Sequence, residues 1–280
     1  ALAAGRSGEA EGLYRQSLQV RQELAELEPG NPGYRRDLSV SYNRLADVAL
    51  AAGRSGEAEG LYRQSLQVAQ ELAELEPGNP AYRRDLSVSY NRLADVALAA
   101  GRSGEAEGLY RQSLQVRQEL AELEPGNPGY RRDLSVSYDR LADVARAAGR
   151  SGEAEGLYRQ SLQVRQELAE LEPGNPGYRR DLSVSYERLA GLARQGDTGS
   201  AGSLIERAAA LRRVIHAQDP AREDLAVELA YALYLSAEIG LQEGSPEAQR
   251  GEVAGILTPF ATAGLLSERG IALLGWAREP

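Results

Sequence analysis

An all-α solenoid is the fold this sequence predicts, on three observations: a unit repeated every 48 residues, apolar residues at three- and four-residue steps within each unit, and glycine or proline where each run must stop. Gly5, Gly53, Gly101 and Gly149 mark the period, and GRSGEAEGLYRQSLQVRQELAELEPGNPGYRRDLSVSYNRLADVALAA recurs four times with few changes. Self-similarity on this scale dictates architecture, because a pair of helices leaves apolar surface that only the next pair can cover.

The first helix of a unit has Ser7 placed as its N-cap and Glu9 and Glu11 in its first turn, where carboxylates suit the positive end of the helix dipole. Ala10, Leu13, Tyr14, Leu18, Val20, Leu24 and Leu27 form an apolar stripe along about twenty residues, roughly 30 Å of helix. Pro29 and Gly30 stop it. Asn31 followed by Pro32 reads as an N-cap and a first-turn proline. The second helix runs through Leu38, Tyr42, Leu45, Ala46 and Ala49 to Gly53, which suits the left-handed C-terminal position. A link of about three or four residues makes the two helices antiparallel.

After Tyr186 the pattern drifts: one residue is lost before Gly196, and the spacing from Pro220 to Asp224 shortens. Residues 196–243 still read as a helix pair, with Leu204, Ala208, Leu211 and Ile215 on one helix and Leu225, Leu229, Leu233 and Ile239 on the other. A last pair, residues 246–262 and 265–278, reads as a cap anchored by Trp276. The expected organisation is four near-identical repeats over 1–195, a divergent fifth pair over 196–243 and a capping pair over 244–280. Residues 1–5 copy residues 49–53, so the N-terminal end is expected to expose apolar surface and to offer a route to self-association.

Composition removes most chemistry. With no Cys, no Lys and one His, the chain has no thiolate nucleophile, disulfide, cysteine metal site or Schiff-base former. His216 falls near a helix end, where a dipole-facing or solvated role is expected. The acids recur in equivalent positions, whereas a catalytic pair needs one enclosed site with two environments. No catalytic, cofactor-binding or metal residues are expected, and the chain reads as no enzyme. Residues 199–203 are Gly-rich but lack the lysine of a phosphate loop, and read as a turn. The Arg35-Arg36 pair and its copies are expected to pair with Asp37 or Glu28, not to gather phosphates, and a net charge of -9 disfavours nucleic acid. The longest charge-free apolar stretches, such as 255–267, fall short of the roughly 20 residues that span a bilayer. Absence of cysteine points to the cytoplasm. The tyrosines at 14, 34 and 42 and their copies are expected to pack between units.

Tyr90, Leu93, Ala94, Gly101, Ala106 and Tyr110 follow the pattern of an aromatic, a leucine and a small residue on one helix, then Ala-x-x-x-aromatic on the next. The same pattern runs from Tyr42 to Tyr62 and from Tyr138 to Tyr158. It resembles the tetratricopeptide repeat family. Ala97 stands where an aromatic is common, Ser113 replaces the usual Ala, and the closing Pro is displaced to Pro125, as in a long-helix variant of the kind found in bacteria. HEAT and armadillo solenoids share a similar period and rank second.

The resemblance covers about residues 1–240 and implies a right-handed superhelix whose first helices, residues 37–52 and their copies, line an inner groove. Val40, Asn43, Asp47 and Leu50 fall on one stripe of that helix outside the core. Their copies are Val88, Asn91, Asp95 and Leu98, then Val136, Asp139, Asp143 and Arg146, with Glu187 in the fourth unit. These are the candidate partner-binding residues. The acids among them favour a protein or peptide with basic residues, while Arg44, Arg92, Arg140 and Arg188 stand where they would neutralise that charge. The functional expectation is a protein- or peptide-binding scaffold, the recognition arm of a larger signalling protein. The alternative is a structural repeat protein, natural or designed, that stacks end to end.

Overall fold

The structure, a computed structural model, describes residues 2–194, 198–240 and 247–279. The deletion before Gly196, the boundaries expected near 195 and 243, and the side chains of residues 2–7, Ser7 among them, lie outside the described residues. All the regular structure among those residues is helical. The chain forms two compact units, Ala1–Val144 and Ala145–Pro280. The first contains α1 (Leu2–Leu27), α2 (Pro32–Ala51), α3 (Ser55–Leu75), α4 (Pro80–Ala99), α5 (Ser103–Leu123) and most of α6 (Pro128–Ala147). The second contains α7 (Ser151–Leu171), α8 (Pro176–Ala193), α9 (Thr198–Gln218), α10 (Glu223–Gly240), α11 (Glu247–Thr262) and α12 (Glu268–Arg278).

Local chemistry sets the helix ends. Asn31 Oδ1 accepts from the amides of Gly33 (3.0 Å) and Tyr34 (3.4 Å), while its Nδ2 donates to Glu28 (3.1 Å), so one side chain caps α2 and ties the preceding turn to it. Asn79, Asn127 and Asn175 repeat the cap. Gly53, Gly101 and Gly149 have φ near +75° (76°, 75° and 75°), the left-handed region where a Cβ is strained. The serine caps expected before the long helices are not formed. Ser55, Ser103 and Ser151 are already inside α3, α5 and α7; the cap positions fall on Arg54, Arg102 and Arg150, none of which makes a side-chain cap bond. The glycine turn is the reason, because it returns the Arg54 amide to the Ala49 carbonyl (2.9 Å) and so begins the next helix one residue early.

Small residues let the helices of the first unit approach closely. Ala46, Ala49 and Ala58 are fully buried, and Tyr62, 1% exposed, fills the space between them and Leu93. The apolar stripe of the long helices is narrower than expected, since Leu27 and its copies Leu75, Leu123 and Leu171 are exposed. A polar seam runs through this core. Arg117 on α5 is buried, and donates to the Asp133 carbonyl (2.7 Å), Ser137 Oγ (3.1 Å) and Ser87 Oγ (3.2 Å). Burial lowers its pKa. The same position of α3 holds Ala69, and there Ser65 and Ser89 hydroxyls lie 3.4 Å apart.

The second unit changes material towards its C-terminal end. Leu229, Leu233, Val253, Leu257, Leu273 and Leu274 pack as one apolar cluster. Trp276 lies against it, edge-on to Tyr234 with ring centres 5.1 Å apart. The turn expected at residues 199–203 is instead the start of α9, because burial of Ala201 and Ile205 outweighs a glycine penalty of about 1 kcal/mol. His216 sits in the last turn of α9, as expected for a helix-end residue.

Candidate protein-interaction surface

In the first unit, α2, α4 and α6 carry the predicted stripe, and two rails of ion pairs join each to the next. Along one rail Arg36 Nε meets Asp85 (2.6 Å) and Arg84 Nε meets Asp133 (2.7 Å). Along the other, Asp47 meets Arg92 (3.0 Å) and Asp95 meets Arg140 (3.3 Å). Tyr62 and Tyr110 donate their hydroxyls to Asp47 and Asp95. Burial, and then the neighbouring carboxylate, pushes both phenols well above the usual tyrosine range. The arginine pair at 35 and 36 therefore does not turn to Asp37 or Glu28: Arg35 pairs with Glu71 and Arg83 with Glu119, each one repeat further on.

Between α2 and α4 these pairs border a groove of about 550 Å³ lined by Val40, Asn43, Asp47 and Val88, with Arg44 and Arg92 at its edge. On its floor the Asn43 Oδ1 is buried and accepts no hydrogen bond, and Asn91 Oδ1, one repeat on, is in the same state. Leu50 is exposed and Leu98 half-buried at the C-terminal end of the stripe, and Val136 and Asp143 are half-buried on α6.

Two candidate residues are placed differently from expectation. Asp139 is 3% exposed, so it does not add to an open acidic face. Glu187, in the second unit, turns to Arg212 (3.3 Å), which also pairs with Glu228. Burial raises the pKa of the Glu187 carboxyl against the pull of that guanidinium. Arg146 is exposed. The acidic ladder is therefore matched, acid by acid, with arginine or tyrosine wherever Asp47 and Asp95 are concerned.

The tyrosine donors were missed because packing explains a buried ring without its hydroxyl. The signal available was that a buried phenol needs a partner, and an Asp stands 15 residues before Tyr62 and before Tyr110. Gln22, Gln70 and Gln118 show the same need from the other side, donating to Tyr42, Tyr90 and Tyr138 at 3.1 to 3.2 Å.

The sequence profile of the tetratricopeptide repeat matches residues 38–80, 86–128 and 134–176, each opening on α2, α4 or α6. Residues 38–176 are therefore an array of tetratricopeptide repeats. The architecture agrees with solved structures of that fold. BtubC (BKLC) from P. vanneervenii is 20% identical, with 97% of this chain and 89% of that one covered and a TM-score of 0.64. A protein of Podosopora anserina with nearly identical TPR-like repeats is 22% identical over 83% of this chain and 98% of its own, with a TM-score of 0.56. A Signal Transduction ATPase with Numerous Domains (STAND) protein with a tetratricopeptide repeat sensor, from Pyrococcus horikoshii, is 14% identical; 97% of this chain spans 42% of it, with a TM-score of 0.51. At these identities the likeness is one of fold. No curated protein matches the sequence. Tetratricopeptide arrays are in general non-catalytic scaffolds for protein interaction. Among the described residues, no helix is long and apolar enough to cross a membrane.

Proposed function

We propose that this tetratricopeptide array binds an extended protein segment along the stripe on α2, α4 and α6, as the recognition arm of a larger signalling protein. The observation that carries the reading is the pair of buried, unsatisfied amide oxygens on Asn43 and Asn91. An acceptor left in that state costs about 1–3 kcal/mol, which favours turning the amide outward, where its oxygen can accept a main-chain N–H of a bound segment. Val40 and Val88 add apolar contact beside it. Because Asp47 and Asp95 already hold Arg92 and Arg140, basic side chains of the partner act by displacing those arginines, not by meeting free charge. The role as a recognition arm rests on fold analogy with the sensor of the STAND protein.

Peptide-display selection tests this, with Asn43→Ala/Asn91→Ala and Asp47→Arg/Asp95→Arg/Asp143→Arg variants in parallel. Enriched peptides should weaken about tenfold on the asparagine variant, with basic peptides lost from the arginine variant and helicity unchanged in both. Equal enrichment on all three proteins would remove the groove as the binding surface.

A second reading has one observation in its favour. On α1, Leu13 is 62% and Val20 55% exposed, while their copies Leu61 and Val68 are half-buried. Self-association through α1 would cover them. Light scattering should then show mass rising with concentration, and a Leu13→Gln/Val20→Gln variant should stay monomeric; a constant mass for the unaltered chain ends this reading.

A further inference from the structure

We propose that the second unit holds a separate pocket, between α7, α8 and α9, that takes an aliphatic side chain of a partner peptide together with a carboxylate beside it. α9 is a copy of α7 displaced by 47 residues: Ala154 becomes Ala201, Tyr158 becomes Ile205 and Arg165 becomes Arg212. With that correspondence, its junction can be compared with the regular ones.

In the first unit a ring of four charges closes the crevice between successive long helices. Between α3 and α5, Arg102 meets Glu59 (2.7 Å) and Glu105 (2.9 Å), while Arg63 meets Glu105 (3.2 Å) and Glu59 (2.7 Å). Glu11, Arg15, Arg54 and Glu57 build the same ring between α1 and α3. Between α7 and α9 the described residues keep one pair of it, Arg159 and Glu155 at 2.7 Å. The α9 half is replaced in sequence: Asp197, outside the described residues, stands for the arginine and Ser200 for the glutamate, and Gly202 stands for the copy of Glu155 itself.

The rim of the crevice is more exposed there. The Glu155 side chain is 47% exposed, against 19% for Glu11 and 22% for Glu59, and Arg159 is 70% exposed, against 51% for Arg15 and 56% for Arg63. Beneath them lies a cavity of about 620 Å³ whose floor is Leu162, Leu189, Leu192 and Leu204. That volume is in the range of ligand pockets, in which an apolar lining with a few polar groups at the edge is the rule.

Among the described residues the edge holds two arginines, Arg159 and Arg207, and one acid, Glu155. Arg207 lines the mouth and has no carboxylate partner among the described residues; its guanidinium lies 5.9 Å from the Tyr186 ring. Arg159 stands opposite on α7, paired with Glu155 at 2.7 Å. An apolar floor beside the Arg207 guanidinium, with Arg159 held by Glu155, fits leucine next to aspartate or glutamate and disfavours a basic segment. This is the opposite charge preference to that of the α2 and α4 groove, so the two sites are separable by experiment.

Fluorescence polarisation of the full chain with a fluorescein-labelled peptide of paired leucines between aspartates tests it. Control peptides replace the leucines by serines or the aspartates by lysines. Each control, and each of Arg207→Glu and Ser203→Trp, should weaken binding about tenfold. Both substitutions fall on exposed positions of α9, the second filling the pocket mouth, and melting curves should match the unaltered chain. Asn43→Ala/Asn91→Ala should leave this binding unchanged. Equal binding of the leucine and serine peptides, binding untouched by both α9 substitutions, or no binding of the leucine peptide overturns the proposal.

Discussion

Through α2 to α5 the fully buried positions are mostly alanine, serine and tyrosine, whereas α10 to α12 bury leucine, valine and alanine with Trp276 packed on them. The first region is joined by matched polar pairs that recur at each step; the second relies on apolar bulk. The difference follows from what each must do. A repeating junction has to be complementary to a copy of itself, and an acid that finds an arginine one repeat on satisfies that at every step. Where the series stops the complementary residue is missing, so the polar residues give way, and large apolar side chains cover what remains.

Breaking the second region should have the largest effect. Leu233 is 1% exposed inside the C-terminal cluster, and Leu233→Ala should cost about 2–5 kcal/mol. Hydrogen exchange should accelerate in α10 to α12 and leave α2 to α5 near their original rates; uniform acceleration would mean that the two regions are one cooperative body.

Arg117→Ala tests the polar seam of the first region. It removes the donor from the Asp133 carbonyl and from the Ser87 and Ser137 hydroxyls, and urea unfolding should show a loss of about 1–3 kcal/mol. α3 has already dispensed with this arginine, and Ala69 there is buried without it. A cost near zero would mean that both junctions close equally well without the side chain.

The smallest effect is expected for Tyr110→Phe, which takes one donor from Asp95 and leaves Arg140 in place. It should cost about 0.5–1.5 kcal/mol at neutral pH. The native phenol is held above its ordinary pKa by burial and then by Asp95. Its stabilising contribution is therefore complete below the unfolded value of about 10 and is lost as pH rises from there towards the native value. Urea unfolding at about pH 8 and about pH 11 should show a smaller alkaline loss for the variant than for the unaltered chain; an equal loss would place the titration elsewhere.

The period, the antiparallel pairs, the asparagine caps and the left-handed glycines were legible in sequence because each depends on residues close together in the chain. The pairings were not, and repetition is the cause. Glu71 is the copy of Glu23, so sequence alone cannot tell a partner within the unit from the same residue one unit further on. Geometry decides, and it sends Arg35 to Glu71 and Arg36 to Asp85. The stripe from Val40 to Leu50 was legible as a helix face; that Asp47 is engaged by Tyr62 and Arg92 was not, since one partner comes from the following helix and the other from the following repeat. The α7 to α9 pocket was hidden for the opposite reason, because it arises where expected residues are replaced.

The ion-pair rails have a consequence for inheritance. Since Arg36 reaches the copy of its own neighbour Asp37, and Asp47 reaches the copy of Arg44, deleting or duplicating one whole unit leaves each of these groups facing a residue of the same type. Gain or loss of one whole unit can then lengthen or shorten the array in a single event, with no compensating substitution at the new joint. Length becomes a quantity on which selection can act independently of the fold.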